Sequence, residues 1–553
     1  MSSANLDSSI ITEKTQVQQP HNSDVKHASD IIGNWGPIQR KVFLFFVIIY
    51  TVGPFQNLSL VFFAPKLDFY CQDSHHNASL KNTCEYVVND TWIKCSNFTY
   101  DMTLSGETYQ RTLTETFDLV CDRSWYASLT QTIHQIGYAF SGIAFGLISD
   151  KYGRVFSAKL AIGLEVVMGL IQAFSPTMMS YMISRLFFGA ASYGRFLNGY
   201  VLIMEWVGPK LRGDAAVYQE FGYSFGYIML PIVFQVIPDY RVIQTSVACF
   251  ELFMLCLLIF VVPESPRWLL THSRFKEAHD SISVAAKKKG AISQEEVNKK
   301  FASLKENTIK ELQEQNKSKR STLLDVLKIP RLRQLSLILY FTWFSHSFIY
   351  YGSIFNISNM GGDIFTNFII FGVSYTISNA LLLILLKRFG RRPLLIFMTF
   401  LEAFAFFGMF ITSFSEEKSW WYIRVFFAFL AVIGVSCGFN TIYIYTTETF
   451  PTTMRQISIG TCSVFARVGS GIAPFMKELT NVTHLSVSMT IFGLLALMNA
   501  FLVLHVPETK GKQLPDTLLQ TAANCEREKV TDDAVELRNP SKQLENYHQN
   551  NSC

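Results

Sequence analysis

The chain alternates long apolar runs with polar joints. Runs near 42–64, 125–148, 157–174, 178–206, 215–237 and 242–262 precede a long polar segment. Runs near 332–355, 362–386, 394–414, 420–447, 456–476 and 485–506 follow it. A membrane-crossing helix takes ~20 apolar residues, which most of these runs supply. The pattern predicts an all-α membrane protein of twelve transmembrane helices in two six-helix bundles, and an even count places both termini on one side. Charge sets the sides. Residues 65–124 hold 5 basic and 9 acidic side chains, whereas 263–331 hold 15 basic and 9 acidic. The basic segment belongs in the cytoplasm and the acidic one outside.

Five segments follow. Residues 1–41 are a cytoplasmic tail, and 42–262 are a first bundle that includes the extracellular loop 65–124. Residues 263–331 are a cytoplasmic central loop with helical patterning over 294–315. A second bundle covers 332–506, and 507–553 are a cytoplasmic tail. The extracellular loop contains Cys71, Cys84, Cys95 and Cys121 and the sequons at Asn77, Asn89 and Asn97. Four cysteines beside three sequons indicate a disulfide-stapled, glycosylated loop, with three pairings open.

The turns carry a repeat. Gly146-Leu-Ile-Ser-Asp150-Lys-Tyr-Gly153-Arg154 is echoed by Leu386-Lys387-Arg388-Phe389-Gly390-Arg391-Arg392, and Gly153 and Gly390 are 237 residues apart. Glu205 and Arg212, seven apart, are echoed by Glu448 and Arg455 at an offset of 243. Val262-Pro263-Glu264-Ser265 returns as Val506-Pro507-Glu508-Thr509 at 244. Three ordered pairs at nearly one offset describe one unit written twice, and parallel repeats in a membrane chain are a transporter signature.

Composition narrows the class further. Hydrophobic residues make up 49% and charged ones only 16%, well under the ~25% charged residues of a soluble protein. The formal charge of +5 sits in loops facing the cytoplasm and calls for no nucleic acid. No GxxxxGK[ST] phosphate loop is present, so ATP hydrolysis is not implied. No catalytic constellation, metal cluster or cofactor site stands out.

Phe117-Asp-Leu-Val-Cys121-Asp122-Arg123, Pro263-Glu264-Ser265-Pro266-Arg267-Trp268-Leu269, Glu448-Thr-Phe-Pro451-Thr452 with Arg455, and Pro507-Glu508-Thr509-Lys510-Gly511 resemble the organic cation, anion and carnitine transporters of the major facilitator superfamily. The resemblance runs from about Gly33 to Pro515. Two places depart from it: Lys387 stands where the family usually has an acid, and the extracellular loop holds fewer cysteines. The resemblance implies the facilitator fold, alternating access at the plasma membrane, and no enzymatic activity. It also implies that Asp150, Arg154, Glu205, Arg212, Arg391, Glu448 and Arg455 latch the halves together in one state.

An ionisable group at bilayer depth is costly and is read as functional by default. This singles out Arg467, Glu220 and Arg195 as substrate ligands. Arg185, Arg424, Glu165, Glu251, Glu402, His134 and His346 have weaker claims. By the resemblance, Arg467 stands where cation carriers have Asp and anion or carnitine carriers have Arg, and Asn379 stands where many anion exchangers have Lys. Tyr227, Trp343, Tyr351 and Tyr443 could hold an ammonium on their ring faces, as could Tyr218, Tyr223, Phe344, Tyr350 and Tyr445. The resulting expectation is a carrier of organic cations or of zwitterions such as carnitine, with Na+ or H+ as a candidate co-transported ion. The alternatives are an organic anion carrier and a membrane sensor of the same fold.

Overall fold

The computed structural model describes residues 25, 27–72, 81–88, 91–104, 106–289, 293–317, 328–415, 417–450 and 454–511. Twelve rods dominate it. The first six are α1 (Pro37–Phe63), α2 (Tyr126–Tyr152), α3 (Arg154–Ala173), α4 (Met178–Trp206), α5 (Arg212–Val236) and α6 (Tyr240–Val261). The second six are α7 (Pro330–Phe355), α8 (Ile364–Arg388), α9 (Arg391–Thr412), α10 (Lys418–Thr449), α11 (Arg455–Ile472, continued by Phe475–Val482) and α12 (Leu485–Val503). Helices suit the bilayer because they satisfy every backbone hydrogen bond internally.

Seven of the rods are long enough, and contain a sufficiently apolar stretch, to cross a membrane by length and composition: α1, α3, α6, α8, α9, α10 and α12. The other five, α2, α4, α5, α7 and α11, carry buried polar groups such as Gln131, Arg195, Gln219, His346 and Ser470. These five rods turn polar faces toward other protein, so their average hydropathy falls although their length does not.

Two rods are broken. α1 runs Pro37–Tyr50, then Gly53–Asn57, then Leu60–Phe63, with Pro54 near the first turn of its middle piece. It presses closely on α5, where a Cβ on Gly222 would lie 2.5 Å from the Val47 carbonyl oxygen. α11 breaks at Ala473–Pro474 and continues to Val482, beyond the limit expected from its apolar run. Proline cannot donate the helical hydrogen bond, which explains the break before Pro54 in α1 and the break at Pro474 in α11.

The loop between α1 and α2 folds into three antiparallel strand pairs. Asp68–Cys71 pairs with Phe98–Asp101, Glu85–Val88 with Thr91–Lys94, and Thr103–Leu104 with Glu107–Thr108. Cys71 bonds Cys95, and Cys84 bonds Cys121 just before α2. Asn97 lies in this module and is exposed. Asn77 and Asn89 lie outside the described residues. The central segment forms Pro266–Thr271, Phe275–Lys289 and Gln294–Lys317, the last in agreement with the expected helix.

Candidate substrate site and gate

The repeated turns build two matching charge clusters at one end of the bundle. In the first half Arg154 pairs with Asp150 at 2.7 Å and with Glu205 at 3.2 Å. Glu264 accepts the backbone N–H groups of Arg154 (3.0 Å) and Val155 (3.1 Å) at the start of α3. In the second half Arg391 pairs with Glu448 at 2.9 Å. Glu508 accepts the N–H groups of Arg391 (2.9 Å) and Arg392 (3.2 Å) at the start of α9. A carboxylate seated on a helix N-terminus meets unpaired donors and the positive end of the dipole. Burial raises the Glu264 carboxyl above its usual range, and those N–H bonds oppose the rise.

The turn glycines have different backbones. Gly153 takes φ +108°, where a side chain is strained, whereas Gly390 has φ −69°. At both, the Glu264 or Glu508 carboxylate fills the place of a Cβ. The Pro-Glu echo was visible in the sequence, but its capping role needed the fold. Arg212 donates to the Val207 carbonyl at 3.3 Å. Arg455 opens α11, and its side chain is outside the described residues.

The bonds that join the halves lie elsewhere. At the sheet-bearing end, Ser128 of α2 donates to Glu478 of α11 (2.8 Å) and Thr132 to the Gly471 carbonyl (2.6 Å). Asn57 of α1 donates to the Tyr351 hydroxyl of α7 at 2.7 Å. At mid-depth, Tyr375 of α8 donates to Glu220 of α5 (2.9 Å), and Asn379 donates to Ser224 (3.3 Å). Asn440 of α10 in turn donates to Asn379 at 3.0 Å. Tyr227 stacks on Phe368 at 4.7 Å and faces Tyr375 at 6.3 Å. These contacts place Glu220, Asn379, Tyr227 and Tyr351 on the seam between halves.

Arg467 crosses the same seam. Its guanidinium lies 5.0 Å from the Tyr138 ring of α2 and 4.7 Å from the Tyr193 ring of α4. Among the described residues no carboxylate pairs with it, and its buried Nε has no hydrogen-bond partner. Tyr443 lies within electrostatic reach of both Arg467 and Glu220. The sequence reading missed Tyr138 and Tyr193. The signal available was the polar stripe of α2, Gln131–Gln135–Tyr138, at helical spacing.

Other candidates fall outside the seam. Arg195 is spoken for: it bonds Glu165 (2.8 Å), the Ile49 carbonyl (3.1 Å) and Gln56 (2.8 Å), and Gln56 also reaches Glu251. Arg195 is thus held in a buried ion pair, in which the Glu165 carboxylate neutralises the guanidinium. Trp343 is fully buried, donates to Thr446 at 3.1 Å and meets the Tyr443 ring at a tilt with centroids 4.2 Å apart, so it stands behind Tyr443. Arg424 caps the carbonyls of Met360, Thr412 and Ser415. Tyr445 donates to the Pro507 carbonyl, and Tyr218 is half exposed. Arg185 donates to Gln131 (3.2 Å) and lies over the Phe188 ring at 5.9 Å, and its buried Nε and Nη1 have no hydrogen-bond partner among the described residues.

Two bundles of six rods, repeated charged turns and a polar seam define a membrane transporter of the facilitator class. Residues 45–517 match the family described as sugar (and other) transporter. The chain belongs to the organic ion transporter family of the major facilitator superfamily. It is 30% identical over 512 residues to an organic cation transporter protein of Drosophila melanogaster, covering 88% of this chain and 92% of that one. Solute carrier family 22 member 3 of Mus musculus is 26% identical, covering 88% and 93%. Solute carrier family 22 member 2 of Homo sapiens is 30% identical, covering 76% and 73%. The inward-open xylose transporter XylE from E. coli superposes with a TM-score of 0.59 at 15% identity, covering 90% of this chain and 99% of that one, a likeness of fold alone. These relatives are transporters, not enzymes.

Proposed function

We propose that this chain carries small organic cations or zwitterions such as carnitine across the plasma membrane by alternating access. The strand module then faces outward, with Asn97 glycosylated together with Asn77 and Asn89, and both termini lie in the cytoplasm. The relatives named as organic cation transporters favour a cationic group. Glu220 and the tyrosine rings would receive an ammonium, each ring contributing ~0.5–2 kcal/mol. The observation that carries the zwitterion reading is Arg467, a half-buried cation on the seam with ring neighbours and no carboxylate among the described residues. A substrate carboxylate would complete it by paired hydrogen bonds. The charge clusters, each paired within its own half, fit a state open toward the cytoplasm, and exchange of partners across the halves would close that end.

The test is uptake of carnitine, tetraethylammonium and glutarate by reconstituted protein, with and without sodium. Arg467→Ala should weaken carnitine by ~2–5 kcal/mol and tetraethylammonium far less. Equal losses would replace the zwitterion reading with a general cation carrier. Uptake of glutarate alone would favour an organic anion carrier, and binding without uptake a sensor.

A further inference from the structure

The two halves treat one buried position with different chemistry. Glu165 on α3 and Glu402 on α9 are 237 residues apart, the same offset as Gly153 and Gly390. In the first half Arg195 of α4 closes on Glu165. The repeat offset of 243 carries Arg195 onto Gly438 of α10, which offers no side chain. His346 of α7 occupies that space instead, since a Cβ on Gly438 would meet its ring at 2.7 Å. His346 Nδ1 lies 3.2 Å from Glu402 Oε2, and both side chains are fully buried. A permanent cation thus guards one carboxylate, and a ring that can gain or lose a proton guards the other.

We propose that the His346–Glu402 pair is the proton-binding site through which a proton gradient drives transport. With a neutral ring, ionised Glu402 leaves an uncompensated charge in the interior, which is costly. One proton taken from water onto the ring gives an imidazolium–carboxylate pair with no net charge, and its return to water on the other side restores the first state. Only an N–H bond forms and breaks, and no electrons move. Beyond this contact, neither ring nitrogen of His346 and neither oxygen of Glu402 has a hydrogen-bond partner among the described residues.

No second charge competes for the pair. Among the described residues, His346 is the one titratable side chain that acts on Glu402. On α9, Arg391 is held by Glu448 of α10, and Arg392 lies ten residues before Glu402. On α10, Arg424 is engaged with carbonyls, and Cys437 packs with Leu394 and Met398. On α11, Arg467 faces Tyr138 and Tyr193, and Cys462 packs in a separate apolar cluster. α12 presents the uncharged Asn499. On α7 itself, Tyr340 stacks on Phe465, and Tyr350 faces Tyr375 on the seam. The same helix carries Trp343 against Tyr443 and Tyr351 against Asn57, so a change at His346 is passed to the seam through one rod.

The inference rests on the transporter reading, and its test separates the two. Proteoliposomes are loaded for uptake and for counterflow of carnitine and tetraethylammonium. An inward proton gradient should accelerate wild-type uptake several-fold. Glu402→Gln and His346→Gln should lose that acceleration while counterflow at symmetric pH persists. Counterflow in a wild type blind to the gradient, or unchanged acceleration in both variants, overturns the proposal. Absence of all wild-type counterflow defeats the transporter reading instead. The site is then judged directly, by nuclear magnetic resonance of ring-labelled histidines in lipid. One resonance should move between acid and alkaline buffer and vanish in His346→Gln, and an unmoving His346 signal overturns the proposal.

Discussion

The halves agree at their turns and differ in their interiors. At the charged end, an Arg–Glu pair and a carboxylate on a helix N-terminus occur in both halves with nearly the same distances. Inside, the first half ties Arg195, Glu165, Gln56 and Glu251 into one network spanning α1, α3, α4 and α6. At the matching position of the second half, the described residues show the His346–Glu402 pair. A shared fold constrains the turns, because both must seat a helix start against a neighbour. It leaves the interior free, because a buried acid needs a cation but the direction of approach is open.

The largest expected effect tests that difference. Arg195→Ala strands Glu165 and frees Gln56, and should cost ~3–5 kcal/mol, read as a drop in thermal midpoint of the detergent-purified protein. His346→Ala should cost far less, because Glu402 can take up a proton when its partner is gone. Equal drops would show that the two pairs are the same kind of structural bridge. Next come the clusters. Arg154→Ala and Arg391→Ala should each slow initial uptake with surface biotinylation unchanged, by ~1–3 kcal/mol of coupling between states. Asp150→Asn should do less, since that carboxylate is 75% exposed. Wild-type rates in all three would return the charges to setting topology alone.

A smaller effect is expected at the capping carboxylates. Glu264→Gln and Glu508→Gln keep shape but remove charge from the starts of α3 and α9, and each should lose ~0.3–2 kcal/mol of thermal stability. A loss at only one would show that the repeated Pro-Glu pairs do different jobs. The smallest effect belongs to the strand module, which only the first half carries. Asn82 and Lys81 hold the Asp68 carboxyl below its usual range. Its contribution is therefore present above the ordinary carboxylate pKa and fades as pH falls through the lowered one. The group is largely exposed, so Asp68→Asn should cost under ~1 kcal/mol near neutrality and flatten the acid side of the melting profile. An unchanged acid profile would make the pair ornamental.

Much of this was legible from the chain. Run lengths and loop charges, and the offsets 237, 243 and 244, gave the rods and the doubling, because lipid forces each crossing to be a complete helix of set length. Arg467 and Glu220 stood out because charge inside a membrane is rare. What hydropathy alone obscured were α2, α4, α5, α7 and α11, whose polar faces lower their average although they span like the rest.

Partnership was not legible. Four cysteines left three pairings open, and only the folded loop joined Cys71 to Cys95 and Cys84 to Cys121. Arg195 and Arg467 look alike in sequence, each an arginine within a membrane helix. Tertiary structure gave the first a carboxylate at 2.8 Å and left the second between two tyrosine rings. The sequence by itself determined how many helices cross and where the charges enter them, because those follow from local hydration and the thickness of lipid. Only the tertiary structure decided which charges are neutralised and which are left without a carboxylate, because the energy of a buried ion is set by neighbours tens to hundreds of residues away.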